Sequence, residues 1–227
     1  MTPRICVSIL PENNTEALNL IERAKSTKAD FIEVRLDCLE TNGNLSEFSK
    51  CTRIPLIATN KLQSEKGFFA GTEAERQQTL LAAAKNGFQY VDIDLSSPEP
   101  KKVIDKLKQL GAETIVSYHN HDSALSIPEM GRILEQEILS GASVCKIVTT
   151  AKKMEDNLGA LNFVSAKSSR VKLVCFCMGE QGKVSRLLSP LFGAYFTFAS
   201  LGQGSETAAG QITIEQMQAA YDVLGQK

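Results

Sequence analysis

The chain has 227 residues, of which 43% are hydrophobic and 22% charged, and its formal net charge at pH 7 is −1. This composition is typical of a globular protein with a packed core and a solvated surface. No basic stripe marks a nucleic-acid surface, and no apolar run approaches the roughly 18 residues that a membrane span requires. We therefore expect a soluble, cytoplasmic protein that binds neither nucleic acid nor membrane.

Six cysteines are present, and four of them lie inside apolar runs that resemble strands. These four are Cys6, Cys145, Cys175 and Cys177. Buried, reduced cysteine is the expected state, and it suits the cytoplasm. Because the whole chain has two histidines, both away from these strands, Cys175 and Cys177 do not predict a zinc site.

Short apolar runs alternate with helical patterns along the whole chain, and eight of these runs are predicted strands. They are Ile5–Leu10, Phe31–Asp37, Pro55–Thr59, Tyr90–Leu95, Glu113–His119, Ser143–Thr150, Val171–Met178 and Ala194–Ser200. Their spacing of roughly 20 to 35 residues corresponds to one βα unit each. No linker or low-complexity stretch divides them, so we expect a single domain over residues 1–227.

Local signals mark the ends of the intervening helices. Capping boxes are predicted at Thr72–Glu75, Ser126–Glu129 and Thr213–Gln216. Ser97 followed by Pro98 predicts an N-cap with proline at the first helical position. Helices are expected to end at Gly87, Gly111 and Gly141.

Eight βα units can close into a (β/α)8 TIM barrel or form an open, doubly wound sheet. The open sheet usually carries a glycine-rich turn after its first strand. Here that turn reads Leu10-Pro11-Glu12-Asn13-Asn14 and contains no glycine. We therefore predict an α/β protein of the closed barrel type, and the open sheet is the alternative.

Two predicted strands alternate apolar and charged residues, which places the two kinds on opposite faces. The second strand has Ile32, Val34 and Leu36 on one face and Glu33, Arg35 and Asp37 on the other. The fourth strand repeats the pattern with Asp92 and Asp94. Because helices must cover the apolar face, the charged face is expected to point into the barrel, where charges must be paired or functional. A structural network of paired charges is the alternative.

Lys146 lies in the middle of the sixth strand, with apolar neighbours on both sides. Burial disfavours an ammonium, and a neutral lysine amine can form a Schiff base with a ketone. His119 ends the fifth strand, where it can act as a general base. With Glu33 on the second strand, these residues predict a Schiff-base proton-transfer site at the C-terminal ends of the strands. The alternatives are a lysine held in an ion pair and a histidine with a structural role.

The segments after the seventh and eighth strands carry a predicted anion site. Met178–Arg186 is a glycine-containing loop that enters a helix, and it brings Arg186 near backbone donors. Residues 202–211 form a second glycine-containing loop, for which a plain surface connection is the alternative. Because Glu180 and Glu206 disfavour a dianion, we expect a carboxylate rather than a phosphate.

The order and spacing of these motifs resemble the type I 3-dehydroquinate dehydratases of the shikimate pathway, across essentially the whole chain. The motifs are Glu33-Val34-Arg35-Leu36-Asp37, Ser117-Tyr118-His119-Asn120, the strand residue Lys146, Met178-Gly179 through Ser185-Arg186, and Ala209-Gly210-Gln211. The resemblance implies a (β/α)8 barrel and a lyase that dehydrates 3-dehydroquinate to 3-dehydroshikimate without a cofactor or metal ion. It also implies a homodimer.

The resemblance further implies roles for individual residues. Lys146 would form an imine with the substrate ketone, His119 would transfer the protons, and Glu33 would orient His119. Substrate contacts are implied for Ser8, Glu33, Arg35, Lys61, Arg186, Thr207 and Gln211. Arg186 and Gln211 would hold the substrate carboxylate. An apolar wall of Phe176, Met178 and Phe198 would keep the lysine neutral.

Two residues depart from the family pattern. Lys61 stands where the family has an arginine, so the charge is kept but the planar fork is lost. His121 stands where the family often has an aromatic ring. Two other hypotheses remain open: a class I aldolase-type barrel acting on a sugar phosphate, and a catalytically inactive barrel that serves as a binding protein. The first would need a phosphate cradle, and the second has no reason to keep a lysine, histidine and glutamate together.

Overall fold

The computed structural model describes residues 2–40 and 43–226, in which eight strands alternate with helices. The strands are β1 (Ile5–Ile9), β2 (Phe31–Arg35), β3 (Leu56–Thr59), β4 (Tyr90–Asp94), β5 (Glu113–His119), β6 (Val144–Thr150), β7 (Leu173–Met178) and β8 (Thr197–Ser200). The α-helices are α1 (Asn14–Lys25), α2 (Leu45–Lys50), α3 (Glu73–Lys85), α4 (Pro100–Gln109), α5 (Ile127–Ser140), α6 (Asp156–Lys167), α7 (Lys183–Leu188) and α8 (Ile214–Val223). The predicted single domain also includes Met1, Thr41, Asn42 and Lys227, which lie outside the described residues.

The strands pair in the order β7-β6-β5-β4-β3-β2-β1-β8, and every pair is parallel. Parallel neighbours require a crossover connection, which the helices provide. Between β7 and β8, the backbone N–H of Tyr195 donates a 2.7 Å hydrogen bond to the carbonyl of Leu173. The strands therefore form a nearly closed barrel, which confirms the predicted (β/α)8 TIM barrel, and the open-sheet alternative is wrong.

All eight predicted strands are present, and the helix signals are largely confirmed. The three capping boxes form as predicted, and the three helix-ending glycines have positive φ angles. The N-cap predicted at Ser97 is wrong, because α4 begins at Pro100 after a left-handed Glu99. The hydroxyl of Ser97 instead accepts a 2.6 Å hydrogen bond from Nη2 of Arg76.

Apolar side chains form cores on both sides of the strands. Outside the barrel, Ile32, Val34, Leu36, Val91 and Ile93 belong to the cluster that packs against the helices. Inside it, Phe31, Phe196 and Phe198 form an aromatic plug, with ring centroids of neighbouring members 4.8 and 5.3 Å apart. The predicted orientation of the two faces is therefore confirmed, and the plug supports the charged residues above it.

The burial of the cysteines agrees with the expectation from the sequence. All six cysteines are free, and Cys6, Cys145, Cys175 and Cys177 are buried as predicted. Across residues 2–40 and 43–226, no helix combines the length and apolar character needed to cross a bilayer.

Candidate active site

An open cavity lies at the C-terminal ends of the strands, where the loops of a parallel barrel converge. Its lining includes every residue for which the sequence predicted catalysis or substrate contact: Ser8, Glu33, Arg35, Lys61, His119, Lys146, Arg186, Thr207 and Gln211. The predicted apolar wall of Phe176, Met178 and Phe198 lines it too. The fold therefore brings residues from both ends of the chain to one place.

Lys146 projects from β6 into the base of this cavity and is 5% exposed. Its Nζ donates a 2.9 Å hydrogen bond to Oδ2 of Asp92, and it lies 3.9 Å from Oε1 of Glu33. The ring centroid of Phe198 is 4.3 Å away on another side. The predicted apolar wall therefore covers only part of the surroundings of Lys146, because a buried carboxylate also lies against its Nζ.

Asp92 is the carboxylate that joins the charges of the site. Its Oδ1 accepts hydrogen bonds from Oγ of Ser117 at 2.6 Å and from Nζ of Lys61 at 3.1 Å, while Oδ2 holds Lys146. Burial alone would raise the pKa of Asp92, but the ammonium groups of Lys146 and Lys61 outweigh it and hold the pKa well below its ordinary value. Asp92 is therefore an anion at neutral pH.

His119 ends β5 and is half-buried beside His121. Their rings stack, with centroids 6.0 Å apart and planes inclined by 12°. Burial lowers the pKa of His119 well below its ordinary value, and the positive charges of Lys61 and Lys146 lower it further. The imidazole is therefore neutral at pH 7 and can accept a proton, as a general base must.

Glu33 is bonded to its neighbouring strands. Its carboxylate accepts a 2.8 Å hydrogen bond from Oγ1 of Thr59 on β3 and another from Oγ of Ser8 on β1. Because β1 and β3 flank β2, these are the hydroxyls within closest reach. Glu33 was implied to orient His119, but among the described residues no hydrogen bond joins the two side chains, and the carboxylate faces Lys146 instead.

Arg186 lies on α7 and is 1% exposed. Its guanidinium stacks on the ring of Phe176 at 4.3 Å. In the described part of the chain, its Nε and Nη2 atoms are buried without a hydrogen-bond partner. Burial lowers the pKa of Arg186 to about 9, so the group is still charged at pH 7. Because a buried, unpaired cation is costly, this geometry favours an anionic ligand.

The loop after β8 closes one side of the cavity. The backbone N–H of Thr207 donates to Oε1 of Gln211 at 2.7 Å, and Nε2 of Gln211 donates back to Oγ1 of Thr207 at 3.0 Å. The carbonyl of Ala209 accepts a 3.1 Å hydrogen bond from the N–H of Gly179, in the loop after β7. Gln211 is thereby held at the cavity, beside the loop that leads to Arg186 on α7.

Two of the residues predicted to contact the substrate are already hydrogen-bonded to other protein groups. Arg35 donates two hydrogen bonds to Asp37, of 2.9 and 2.6 Å, and the ammonium of Lys61 is bonded to protein oxygens. Glu65, which was not predicted from the sequence, also lines the cavity, from a 3-10 turn after β3. No periodicity or motif distinguishes a carboxylate in such a loop.

The arrangement combines three chemically different groups around one cavity. They are the amine of Lys146, the neutral imidazole of His119 and the unpaired guanidinium of Arg186. In residues 2–40 and 43–226, no three His, Cys, Asp or Glu side chains are grouped so that they could hold a metal ion. The set suits a carbonyl compound that also carries an anionic group.

Known proteins resemble the chain over nearly its full length. The family model for type I 3-dehydroquinase matches residues 5–227. A 3-dehydroquinate dehydratase of Dehalococcoides mccartyi is 36% identical over 219 residues, which cover 96% of this chain and 95% of that protein. One of Coxiella burnetii is 36% identical over 222 residues, covering 97% and 93%. The crystal structure of the Geobacillus kaustophilus 3-dehydroquinate dehydratase has the same fold, with a TM-score of 0.90, 24% identity, and coverage of 98% and 91%. The chain therefore belongs to the type I 3-dehydroquinase family.

Proposed function

We propose that the chain is a hydro-lyase of the shikimate pathway, which supplies aromatic amino acids, and that residues 1–227 form one catalytic domain. It dehydrates 3-dehydroquinate to 3-dehydroshikimate through a Schiff base on Lys146, without a cofactor. The observation that carries the proposal is the placement of a buried lysine, a neutral histidine and an unpaired arginine around one cavity. Membership of the family supports the reaction and the substrate.

The first step forms the imine. The ammonium of Lys146 gives a proton to the neutral imidazole of His119, and the freed amine attacks the ketone carbon. The protonated His119 donates its proton to the resulting alkoxide and takes one proton from the attached nitrogen, which gives the neutral carbinolamine. It then returns that proton to the carbinolamine hydroxyl, which leaves as water and gives the iminium. Asp92, at 2.9 Å from the lysine nitrogen, stabilises the positive charge of the resulting iminium.

The second step is the elimination. The iminium withdraws electrons from the neighbouring carbon, so His119 can remove a proton from it. The electron pair of the broken C–H bond forms the new double bond, and the hydroxyl on the next carbon leaves with the proton that His119 carries. Water then hydrolyses the iminium, which releases the product and restores Lys146.

Binding of the substrate uses the two segments after β7 and β8. Arg186 supplies the charge for the carboxylate, and Gln211 adds an amide donor from the opposite loop. This combination favours a carboxylate over the phosphate of an aldolase substrate, since a single buried guanidinium is the charged donor. We retain Ser8, Glu33, Arg35 and Thr207 as predicted contacts with the other oxygens of the substrate.

Turnover of 3-dehydroquinate, followed by the absorbance of the conjugated product, tests the proposal. The wild-type chain should be active, and a chelator should not slow it, because the iminium supplies the electrophile that a metal ion would otherwise provide. Arg186→Ala should raise KM by roughly tenfold or more, since a hydrogen bond to a charged group contributes about 1.5–3 kcal/mol. Activity restored only by a divalent ion, or turnover of a sugar phosphate instead, contradicts the proposal.

We further propose that the protein is cytoplasmic and forms a homodimer. The six free cysteines support the first statement, because thiols stay reduced in the cytoplasm. The second rests on the family resemblance. Light scattering should give twice the 24.7 kDa of one chain, whereas a monomer mass at micromolar concentration contradicts the dimer.

A further inference from the structure

Lys61 is fully engaged by protein groups at the edge of the cavity. It follows β3, is 7% exposed, and its Nζ donates to Oδ1 of Asp92 at 3.1 Å and to Oγ of Ser117 at 2.9 Å. A third hydrogen bond goes to Oδ1 of Asp94. Because an ammonium has three N–H donors, none is left for a substrate oxygen. This geometry differs from the substrate contact that the family resemblance implied here.

Asp92 links Lys61 to the lysine that reacts. One carboxylate oxygen of Asp92 holds Lys61 and the other holds Lys146, at 3.1 and 2.9 Å. The negative charge is therefore divided between two ammonium groups, in a buried region where each interaction is strengthened. The charge of Lys61 both weakens the hold of Asp92 on Lys146 and repels the ammonium of Lys146.

We infer that Lys61 is a positioning residue, which takes up part of the charge of Asp92 and thereby favours the release of Lys146 as a free amine. This inference rests on the proposed Schiff-base function. Asp94 keeps Lys61 in place, and the other oxygen of Asp94 accepts a 3.2 Å hydrogen bond from Nη1 of the buried Arg76. Lys61 is thus fixed between two carboxylates, only one of which touches the reacting lysine.

The charge of Lys61 also lowers the pKa of the general base, His119. After burial, Lys61 contributes most to the lowering of the pKa of His119, followed by Lys146, while Asp92 opposes them and His121 adds to them. His119 is a base only above its pKa, so removal of the charge of Lys61 should raise that pKa and confine activity to higher pH. The pKa of the neighbouring His121 is affected by the charges of Lys61, Lys66, Glu65 and Asp122. Lys146 also faces a second carboxylate, that of Glu33.

The test compares three variants. Lys61→Met removes the charge and keeps a long side chain, whereas Lys61→Arg keeps the charge. Lys102→Met is the matched control, because the side chain of Lys102 is 70% exposed on α4. For each variant, kcat/KM is measured against pH, together with the rate at which borohydride traps substrate on Lys146.

Lys61→Met should slow trapping at pH 7 by about tenfold and move the acid limb of the kcat/KM profile up by about one pH unit. Lys61→Arg and Lys102→Met should leave that limb in place. If Lys61→Met raises KM equally at every pH without moving the limb, Lys61 contacts substrate and the inference is wrong. Should Lys61→Met fail to fold, Lys61→Gln gives the same readout, because it can still bond Asp92 and Ser117.

Borohydride trapping and the pH profiles distinguish failure of the Schiff-base function from failure of the role inferred for Lys61. If borohydride traps no adduct on Lys146 in the wild-type chain, the proposed function itself is wrong. If every variant forms the adduct with identical pH profiles, the Schiff-base function stands and only the role of Lys61 is refuted.

Discussion

His119 transfers every proton in the proposed reaction, and its surroundings keep it in the form that this task requires. Its pKa is lowered by burial and by the charges of Lys61 and Lys146. The ordinary pKa of a histidine is about 6.5. A neutral imidazole can take a proton from the lysine and from the substrate carbon, whereas an imidazolium can do neither.

The pH dependence follows from the direction of this shift. The basic form exists above the pKa of His119, so kcat/KM should fall as the pH decreases through that lowered value. We therefore expect the acid limb of the kcat/KM profile to have its midpoint below pH 6.5, the value of an ordinary histidine. A midpoint at or above 6.5, measured for wild-type enzyme with 3-dehydroquinate, contradicts the account of His119.

His119→Ala should separate imine formation from proton transfer. Loss of a general base typically costs about 10²–10⁴-fold in rate, and kcat should fall by that order. Because Lys146 remains, substrate should still be trapped on it by borohydride, more slowly than in wild type. His121→Ala is the matched variant, two residues away, and should lower kcat only a few-fold. Equal losses in both variants would show that His119 is not the sole base.

At the scale of elements, the site depends on the contact between the loops after β7 and β8. Gly210 has a φ of +75°, and a Cβ built on it would lie 2.1 Å from the carbonyl oxygen of Gly179. Only glycine fits this approach. The close contact brings the loop after β8 against the loop after β7 and holds Gln211 near Arg186.

Gly210→Ala should therefore push the two loops apart. We expect KM to rise by about tenfold, which corresponds to about 1.4 kcal/mol of lost binding, while Lys146 can still form the imine. Gly204→Ala is the control, because Gly204 also has a positive φ, of +78°, but its Cβ would meet nothing within 4 Å. Steady-state kinetics of both variants decide the point, and equal KM values would refute the closing role of this contact.

Some features of the helices and strands could be predicted from the sequence, and others could not. Alternation of charged and apolar residues predicted that β2 and β4 turn their charges into the barrel, and capping boxes located three helix starts. The start of α4 was wrongly predicted because the hydroxyl of Ser97 accepts a hydrogen bond from Arg76 on α3 instead of capping α4. The pairing of Asp92 with two lysines could not be predicted, since it depends on which long side chains converge across three strands. Glu65 gave no signal because it lies in an irregular loop.

At the scale of the whole molecule, the residues that form the apolar interior of the barrel and the charged residues of the candidate site lie at different levels along the barrel. The aromatic plug of Phe31, Phe196 and Phe198 fills the barrel around the starts of the strands, and the charged residues lie above it. Lys146 rests on the ring of Phe198. The apolar core thereby supports the site from below and excludes water from its base.

Phe196→Ala should therefore destabilise the whole fold. Truncation of a fully buried phenylalanine costs about 3–5 kcal/mol, which for a chain of this size corresponds to a loss of roughly 6–20 °C in Tm. Phe192, at 43% exposure, is the matched control, and Phe192→Ala should lower Tm by only a few degrees. Calorimetry of both variants provides the measurement, and similar losses would argue against the plug as the main internal core.

The central claim is that Lys146 forms a covalent imine with 3-dehydroquinate. The most direct test is to incubate the enzyme with this substrate, reduce it with borohydride, and measure the intact mass and the modified peptide. We predict one ligand mass per chain, located on Lys146, and its loss together with nearly all activity in Lys146→Ala. An adduct on another lysine, or full activity in that variant, would contradict the account.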